Sequence, residues 1–106
     1  MKSAFPYRKK RSKEEIIASI LDASRYGATK TRIMYVSFSS FSQLERYLEI
    51  AIDRELVGLD HNTKKYLITS KGLDYLKYFE DVKSIENNVV EKRRLLSEIL
   101  DSREKV

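Results

Sequence analysis

The chain of 106 residues contains no cysteine, no tryptophan, a single histidine, His61, and a single proline, Pro6. Without cysteine, neither a disulfide nor a thiolate metal site can form, and a lone histidine cannot supply a cluster of imidazole ligands. We therefore expect no metal and no cofactor. The carboxylates are scattered along solvated helix faces rather than paired, which predicts a protein that is not an enzyme and has no evident small-molecule substrate.

Long apolar runs are also absent. No run approaches the roughly 18 residues that span a bilayer, and no apolar stretch follows the basic N-terminus to act as a signal peptide. These absences favour an intracellular protein without a membrane partner. The length suits one domain with a modest core, which dimerisation would help to stabilise. Abundant Lys, Arg and Glu without Cys is typical of thermophile proteins.

The positive charge is concentrated at one end of the chain. The net charge is +5, yet residues 1–13 alone hold six basic and no acidic side chains, residues 14–68 sum to −1, and residues 69–106 sum to zero. Residues 1–11 show no periodicity and are predicted to be a flexible arm that contains Arg8, Lys9, Lys10 and Arg11. Such an arm is typical of polyanion binding, and the alternative is a solubilising tail.

Capping residues and apolar spacing predict the first helix. Ser12 and Glu15 form a capping box at its start, and Gly27 is expected to end it as a left-handed C-cap. Its predicted buried stripe is Ile16, Ile17, Ile20 and Leu21.

Residues 27–59 predict two short helices, a tight turn and a strand, which is the order of a helix-turn-helix. Thr29 would cap the first helix, Ser37–Ser39 would form the turn, and Ser40 with Gln43 would cap the second. The residues expected to be buried are Ile33, Met34 and Val36 in the first helix and Phe41, Leu44, Tyr47, Leu48, Ala51 and Ile52 in the second. The polar face of the second helix indicates a recognition helix, because its residue types reach base edges and phosphates in a major groove. That face consists of Ser42, Gln43, Arg46, Glu49 and Asp53.

Two short segments, 56–60 and 65–68, predict a β-hairpin with its turn at His61–Thr63 and with Lys64 and Lys65 near its tip. Thr69 would then cap a last helix of about 34 residues from Ser70 to about Arg103, although Asn87 and Asn88 leave a break possible. Positions 82, 85, 89, 92, 96 and 99 follow heptad spacing, with Lys92 as a flaw. This seam predicts dimerisation, and the alternative is a helix folded back on its own domain. The predicted interface is Phe79, Val82, Ile85, Val89, Leu96 and Ile99.

Four segments carry a resemblance to a known family: GATKTRIMY, SQLERYLEIAI, ELVGL and YLITSKG. They resemble the small ten-kilodalton winged-helix DNA-binding proteins of hyperthermophilic crenarchaea, a Sulfolobus-type chromatin-associated family, over about residues 11–100. The resemblance implies a winged helix followed by a long C-terminal helix that pairs as an antiparallel coiled-coil dimer. The turn segment SFSS and the longer basic N-terminus depart from the family.

The expected fold is therefore mainly α with a small β-hairpin, divided into a basic arm (1–11), a winged helix-turn-helix domain (12–69) and a long dimerisation helix (70–106). The expected function is a dimeric protein that binds double-stranded DNA in the cytoplasm, as a transcription regulator or as a nucleoid-associated architectural protein. The alternative is a protein-interaction module, which Glu45 and Glu49 favour. The predicted DNA-binding residues are Arg8, Lys9, Lys10, Arg11, Lys30, Thr31, Arg32, Ser40, Ser42, Gln43, Arg46, Lys64 and Lys65.

Overall fold

The computed structural model describes residues 11–102, which form four helices and a two-stranded antiparallel hairpin. The expected class, mainly α with a small hairpin, is confirmed. The chain divides into two compact units with a boundary between Leu76 and Lys77, and each unit is described by itself below. The elements are α1 (Lys13–Ala23), α2 (Lys30–Ser37), α3 (Phe41–Asp53), β1 (Val57–Asp60), β2 (Lys65–Ile68) and α4 (Ser70–Asp101).

The helix starts follow the predicted caps. Ser12 Oγ accepts from the backbone N–H of Glu15 at 3.1 Å, and the Glu15 carboxylate accepts from the N–H of Ser12 at 2.9 Å. Ser40 and Gln43 form the same box at α3. Thr69 Oγ1 accepts from the N–H of Gly72 at 3.0 Å, so α4 also begins as predicted. Each cap satisfies a backbone donor that the helix itself leaves unpaired.

The predicted end of α1 was wrong. The helix stops at Ala23, and the buried Ser24 donates its hydroxyl to the Ile20 carbonyl oxygen at 2.9 Å. A turn follows before Gly27, whose φ of +88° is left-handed but lies beyond the helix. Ala28 then exchanges backbone hydrogen bonds of 3.0 and 2.8 Å with Tyr66 of β2. Pairing with β2 therefore competes with further helix and ends α1 early.

The core of the first unit contains the predicted α1 stripe together with Ile33, Leu44, Leu48, Ala51 and Val57. Three predicted core residues were wrong, because Val36, Phe41 and Ile52 are exposed by 43, 62 and 40%. The eight-residue α2 turns only Ile33 and Ser37 fully inward, four positions apart on one face. Phe41 is the first residue of α3, so its side chain lies at the N-terminal end of the helix.

The hairpin pairs Val57 with Ile68 and Asp60 with Lys65, so β1 begins one residue later than predicted. The turn also includes Lys64, whose φ is +61° and whose N–H donates to the Asp60 carbonyl oxygen at 2.7 Å.

The start of α4 passes very close to the strand entrance. A Cβ on Gly72 would lie 2.2 Å from the Leu56 carbonyl oxygen and 2.6 Å from Ile68 Cγ1. Tyr75, one turn later, donates its hydroxyl to the Glu14 carbonyl oxygen at 3.2 Å. Burial, followed by the negative charge of Glu14, raises the Tyr75 pKa above its ordinary value. These contacts fix the first turns of α4 within the first unit.

The second unit is the continuation of α4, which runs as one helix to Asp101 without the break considered at Asn87 and Asn88. Arg103, the predicted end, lies outside the described residues. Intrahelical ion pairs support this exposed segment, including Lys83–Glu86 at 3.6 Å and Arg94–Glu91 at 2.6 Å. The predicted seam residues Val82, Ile85, Val89, Leu96 and Ile99 are exposed, and Phe79 is half-buried.

Candidate nucleic-acid interface

The N-terminal half of α3 presents the polar groups of the predicted recognition helix. Ser42 and Arg46 are exposed, and Gln43 is half-buried. The Arg46 guanidinium carbon lies 5.4 Å from the centroid of the Tyr47 ring, which supports the side chain without neutralising its charge. The first turn of α3 carries no acidic residue. This end of the helix can therefore approach a polyanion.

Gln43 is less free than its type suggests. Its Oε1 accepts from the Ser40 N–H at 3.4 Å, while its own N–H donates to Ser40 Oγ at 3.1 Å. Bidentate recognition of adenine uses both the oxygen and the amide of glutamine. Base reading by Gln43 would therefore require half of the capping box to open.

Lys30, at the start of α2, is engaged by two residues of α3. Its ammonium lies 2.5 Å from Glu45 Oε2 and 5.9 Å from the centroid of the Phe41 ring. The hydrogen bond to Glu45 raises the pKa of Lys30 above its ordinary value despite some burial. Lys30 stays charged, but Glu45 compensates that charge locally.

An acidic stripe begins at Glu45 and runs to the C-terminal end of α3. Glu45, Glu49 and Asp53 recur every four residues and are all exposed, and they line a groove together with Lys30, Leu48, Ile52 and Tyr66. Two of them, Glu49 and Asp53, belong to the predicted reading face. Because like charges repel, this stripe is poorly suited to lie against phosphates. The four-residue spacing of the acids was visible in the sequence and could have separated this stripe from the acid-free first turn of α3.

The remaining predicted residues lie on three other segments. Thr31 and Arg32 are exposed in the first turn of α2, where Thr29 Oγ1 accepts from the Arg32 N–H at 3.3 Å. Lys64 and Lys65 are exposed at the hairpin. A hydrogen bond from the Asn62 N–H at 2.9 Å orders that turn and lowers the Asp60 pKa.

Arg11 has a structural role that the sequence did not indicate. Its guanidinium donates to the Phe38 carbonyl oxygen at 3.1 Å and to Ser19 Oγ at 3.4 Å. It thus joins the start of the domain to the turn between α2 and α3. Arg8, Lys9 and Lys10 lie outside the described residues.

A family model described as winged helix-turn-helix matches residues 10–87. The chain belongs to the winged helix-turn-helix family. Among solved structures, the chain is similar to Sso10a-2, a DNA-binding protein from Sulfolobus solfataricus, with a TM-score of 0.77 and 22% identity. The match covers 90% of this chain and 100% of that chain. These findings confirm the resemblance to small crenarchaeal winged-helix proteins. No curated protein matches the sequence.

As a winged helix-turn-helix protein, the chain has α3 as its second helix and β1–β2 as its wing, and it is not an enzyme. Within residues 11–102, no helix is long and apolar enough to cross a membrane. The same stretch contains no group of three or more His, Asp or Glu side chains that could hold a metal ion.

Proposed function

We propose that this winged-helix protein binds double-stranded DNA, with the N-terminal half of α3 in the major groove and the wing and basic arm on the backbone. The observation that carries this proposal is a stretch without acidic residues between Asp22 and Glu45. This stretch contains all of α2, the loop between α2 and α3, and the first helical turn of α3. The side chains of Arg32 and Ser42 within it are exposed. Helix N-termini and cations together favour phosphate. The similarity to a protein described as DNA-binding agrees with it.

We infer that sequence preference is weak and that the role is architectural and nucleoid-associated rather than that of a specific regulator. Specific readout needs several side chains free to reach base edges. Gln43 is held in a capping box, and the acidic face begins at Glu45. Arg46 and Ser42 are left as the main candidates on α3, whereas the cations of Lys64, Lys65 and the arm suit phosphates.

The second unit supports a homodimer. The exposed Val82, Ile85, Val89, Leu96 and Ile99 lie along one heptad seam of α4. Apolar side chains on a helix of this length are stabilised by burial against a second helix. A second copy of the chain offers a seam of the same length.

The charges along that seam favour an antiparallel pair. In a parallel pair in register, Lys92 would face Lys92 in the interface, and Asp81 would lie near Glu86 of the second copy, so that like charges would meet. In an antiparallel pair centred between Val89 and Lys92, each Lys92 would face Val89. Glu86 would then flank Arg93 of the second copy, because both residues directly follow a seam position.

A protein-interaction module is the second candidate function. Its support is the groove beside α3, where Glu45, Glu49 and Asp53 face solvent. These three carboxylates would suit a basic partner protein better than DNA.

A titration of labelled duplex DNA of mixed sequence tests the proposal, with fluorescence anisotropy measured as salt is raised. We expect a linear fall when the logarithm of the binding affinity is plotted against the logarithm of the salt concentration. The slope should steepen by ~0.9 for each phosphate contacted. Deleting residues 1–10 should reduce that slope by roughly two to four units. The Ser12–Glu15 box and both Arg11 hydrogen bonds remain in that variant, so its circular dichroism melt is the control. If the full chain does not change the anisotropy of the duplex even at low salt, the protein-interaction module is favoured.

A further inference from the structure

Three aromatic rings are exposed around the turn between α2 and α3. Tyr35 is 76% exposed, Phe38 is 86% exposed, and Phe41 begins α3 with its ring open to solvent. Exposed aromatic side chains clustered within seven residues are unusual on a surface that contacts only water. Duplex recognition by α3 does not require them.

The backbone at Phe38 holds its ring outward. Phe38 is the C-cap of α2 with a φ of +54°, a left-handed conformation that disfavours residues with a bulky side chain. Its N–H donates to the Tyr35 carbonyl oxygen at 3.3 Å, and its own carbonyl oxygen accepts from Arg11. Glycine would be the favoured residue at this position on backbone grounds alone. The phenylalanine therefore costs stability and presents an exposed ring.

Cations accompany the rings. Arg32 lies three residues before Tyr35 on α2, which places the two side chains on neighbouring positions of one helix face. The Lys30 ammonium lies 5.9 Å from the Phe41 ring centroid. The Arg11 guanidinium donates a hydrogen bond to the Phe38 carbonyl oxygen. The stretch between Asp22 and Glu45, which contains all three rings, has no acid.

We propose that Tyr35, Phe38 and Phe41 form a stacking surface for the unpaired bases of single-stranded DNA. Aromatic rings interleaved with cations match a strand whose bases are flat and whose phosphates are negative. Stacking needs no particular base, because every base has an aromatic face. The proposal goes beyond duplex binding and shares with it only the premise that the partner is a nucleic acid.

Anisotropy with a labelled oligothymidylate, which cannot pair with itself, tests this surface beside a blunt duplex of mixed sequence. We expect Phe38→Gly and Tyr35→Ala each to weaken binding of the single strand by about 5- to 100-fold. Duplex binding should change little, because neither residue lies on α3, the helix proposed to enter the major groove. Tyr78→Ala is the matched control, because Tyr78 is an exposed aromatic residue of the second unit. The melting temperature of Phe38→Gly should stay the same or rise, since glycine accepts the left-handed backbone, so a loss of binding cannot be assigned to unfolding.

A fluorescence measurement gives a second readout. The chain has seven tyrosines and no tryptophan, so Phe38→Trp introduces a single tryptophan at the proposed stacking position, which is excited selectively at wavelengths that tyrosine does not absorb. Oligothymidylate should quench that emission, and the same addition to Tyr78→Trp should not.

The outcomes separate this proposal from that of duplex binding. Single-strand binding that survives both substitutions, or equal losses for single strand and duplex, would overturn it. A drop in sedimentation coefficient on Phe38→Gly would also overturn it and would assign the rings to contact between copies of the chain. Binding of oligothymidylate without binding of the duplex would support the stacking surface and refute the duplex proposal.

Discussion

The ammonium of Lys30 lies 2.5 Å from Glu45 Oε2 and so ties the first residue of α2 to the exposed face of α3. The two side chains are 42 and 45% exposed, so water screens the pair, and its contribution to stability is at most ~1 kcal/mol. The pair matters more for the charge of this surface than for stability. Glu45 compensates Lys30, and the net charge of this face is set by Glu49 and Asp53.

Removing the charge of Glu45 should strengthen DNA binding. Glu45→Gln frees the Lys30 charge and shortens the acidic face, so we expect duplex affinity at low salt to rise by about fivefold, the effect of roughly one unscreened charge contact in water. Asp74→Asn, which changes the net charge equally on an exposed residue of α4, is the control. Equal gains from both variants would show that only net charge matters.

The pair should also give a pH-dependent difference in stability. Because the folded-state pKa of Lys30 is raised above its ordinary 10.5, the contribution is fully present below that pH and is lost as pH rises through the raised value. The difference in free energy of unfolding between the natural chain and Lys30→Met, measured by urea denaturation, should therefore be constant near neutrality and shrink in strong alkali. A difference that grew with alkaline pH would contradict the pairing.

Gly72→Ala should destabilise the first unit. Its Cβ would lie 2.2 Å from the Leu56 carbonyl oxygen, which is backbone and cannot rotate away, so we expect a loss of ~1–3 kcal/mol, typical of overpacking. Gly58→Ala is the control, since nothing lies within 4 Å of that position. There, reduced entropy of the unfolded chain should leave stability unchanged or raise it by ~0.4–1 kcal/mol. Similar melting temperatures for the two variants would refute the close approach.

The α3 helix and the wing should contribute separately to DNA binding. Arg46→Ala should reduce whatever sequence preference exists, whereas Lys64→Ala and Lys65→Ala should weaken binding to all duplexes by similar factors. Selection of sites from random duplexes, followed by titration of each variant, measures both effects. An unchanged preference in Arg46→Ala would show that α3 does not read bases.

A charge exchange on α4 tests the orientation of the proposed dimer. Glu86→Lys or Arg93→Glu alone should weaken an antiparallel dimer, and the double variant should restore it, because each copy would again place opposite charges together. Sedimentation at several concentrations measures the result. A monomeric full-length chain at micromolar concentration would refute the dimer, and single variants that weaken it without rescue by the double variant would refute the antiparallel register.

The helices and hairpin could be predicted because their causes are local. Ser12, Ser40 and Thr69 each bond a backbone N–H three residues ahead, and spacing alone identifies the buried stripe of α1. The same local logic failed for Gly27. The end of α1 depends on pairing between Ala28 and Tyr66, which lie far apart in the chain.

The sequence by itself determined the order of elements, the caps and the excess of positive charge at the N-terminus, since each follows from residues within one or two helical turns. Tertiary structure decided which of those residues remain available. Lys30 and Glu45 are fifteen positions apart, and Arg11 and Phe38 are twenty-seven apart. Only folding brings such pairs within hydrogen-bond distance. A lysine or arginine held in this way, such as Lys30 or Arg11, has fewer N–H donors left for DNA.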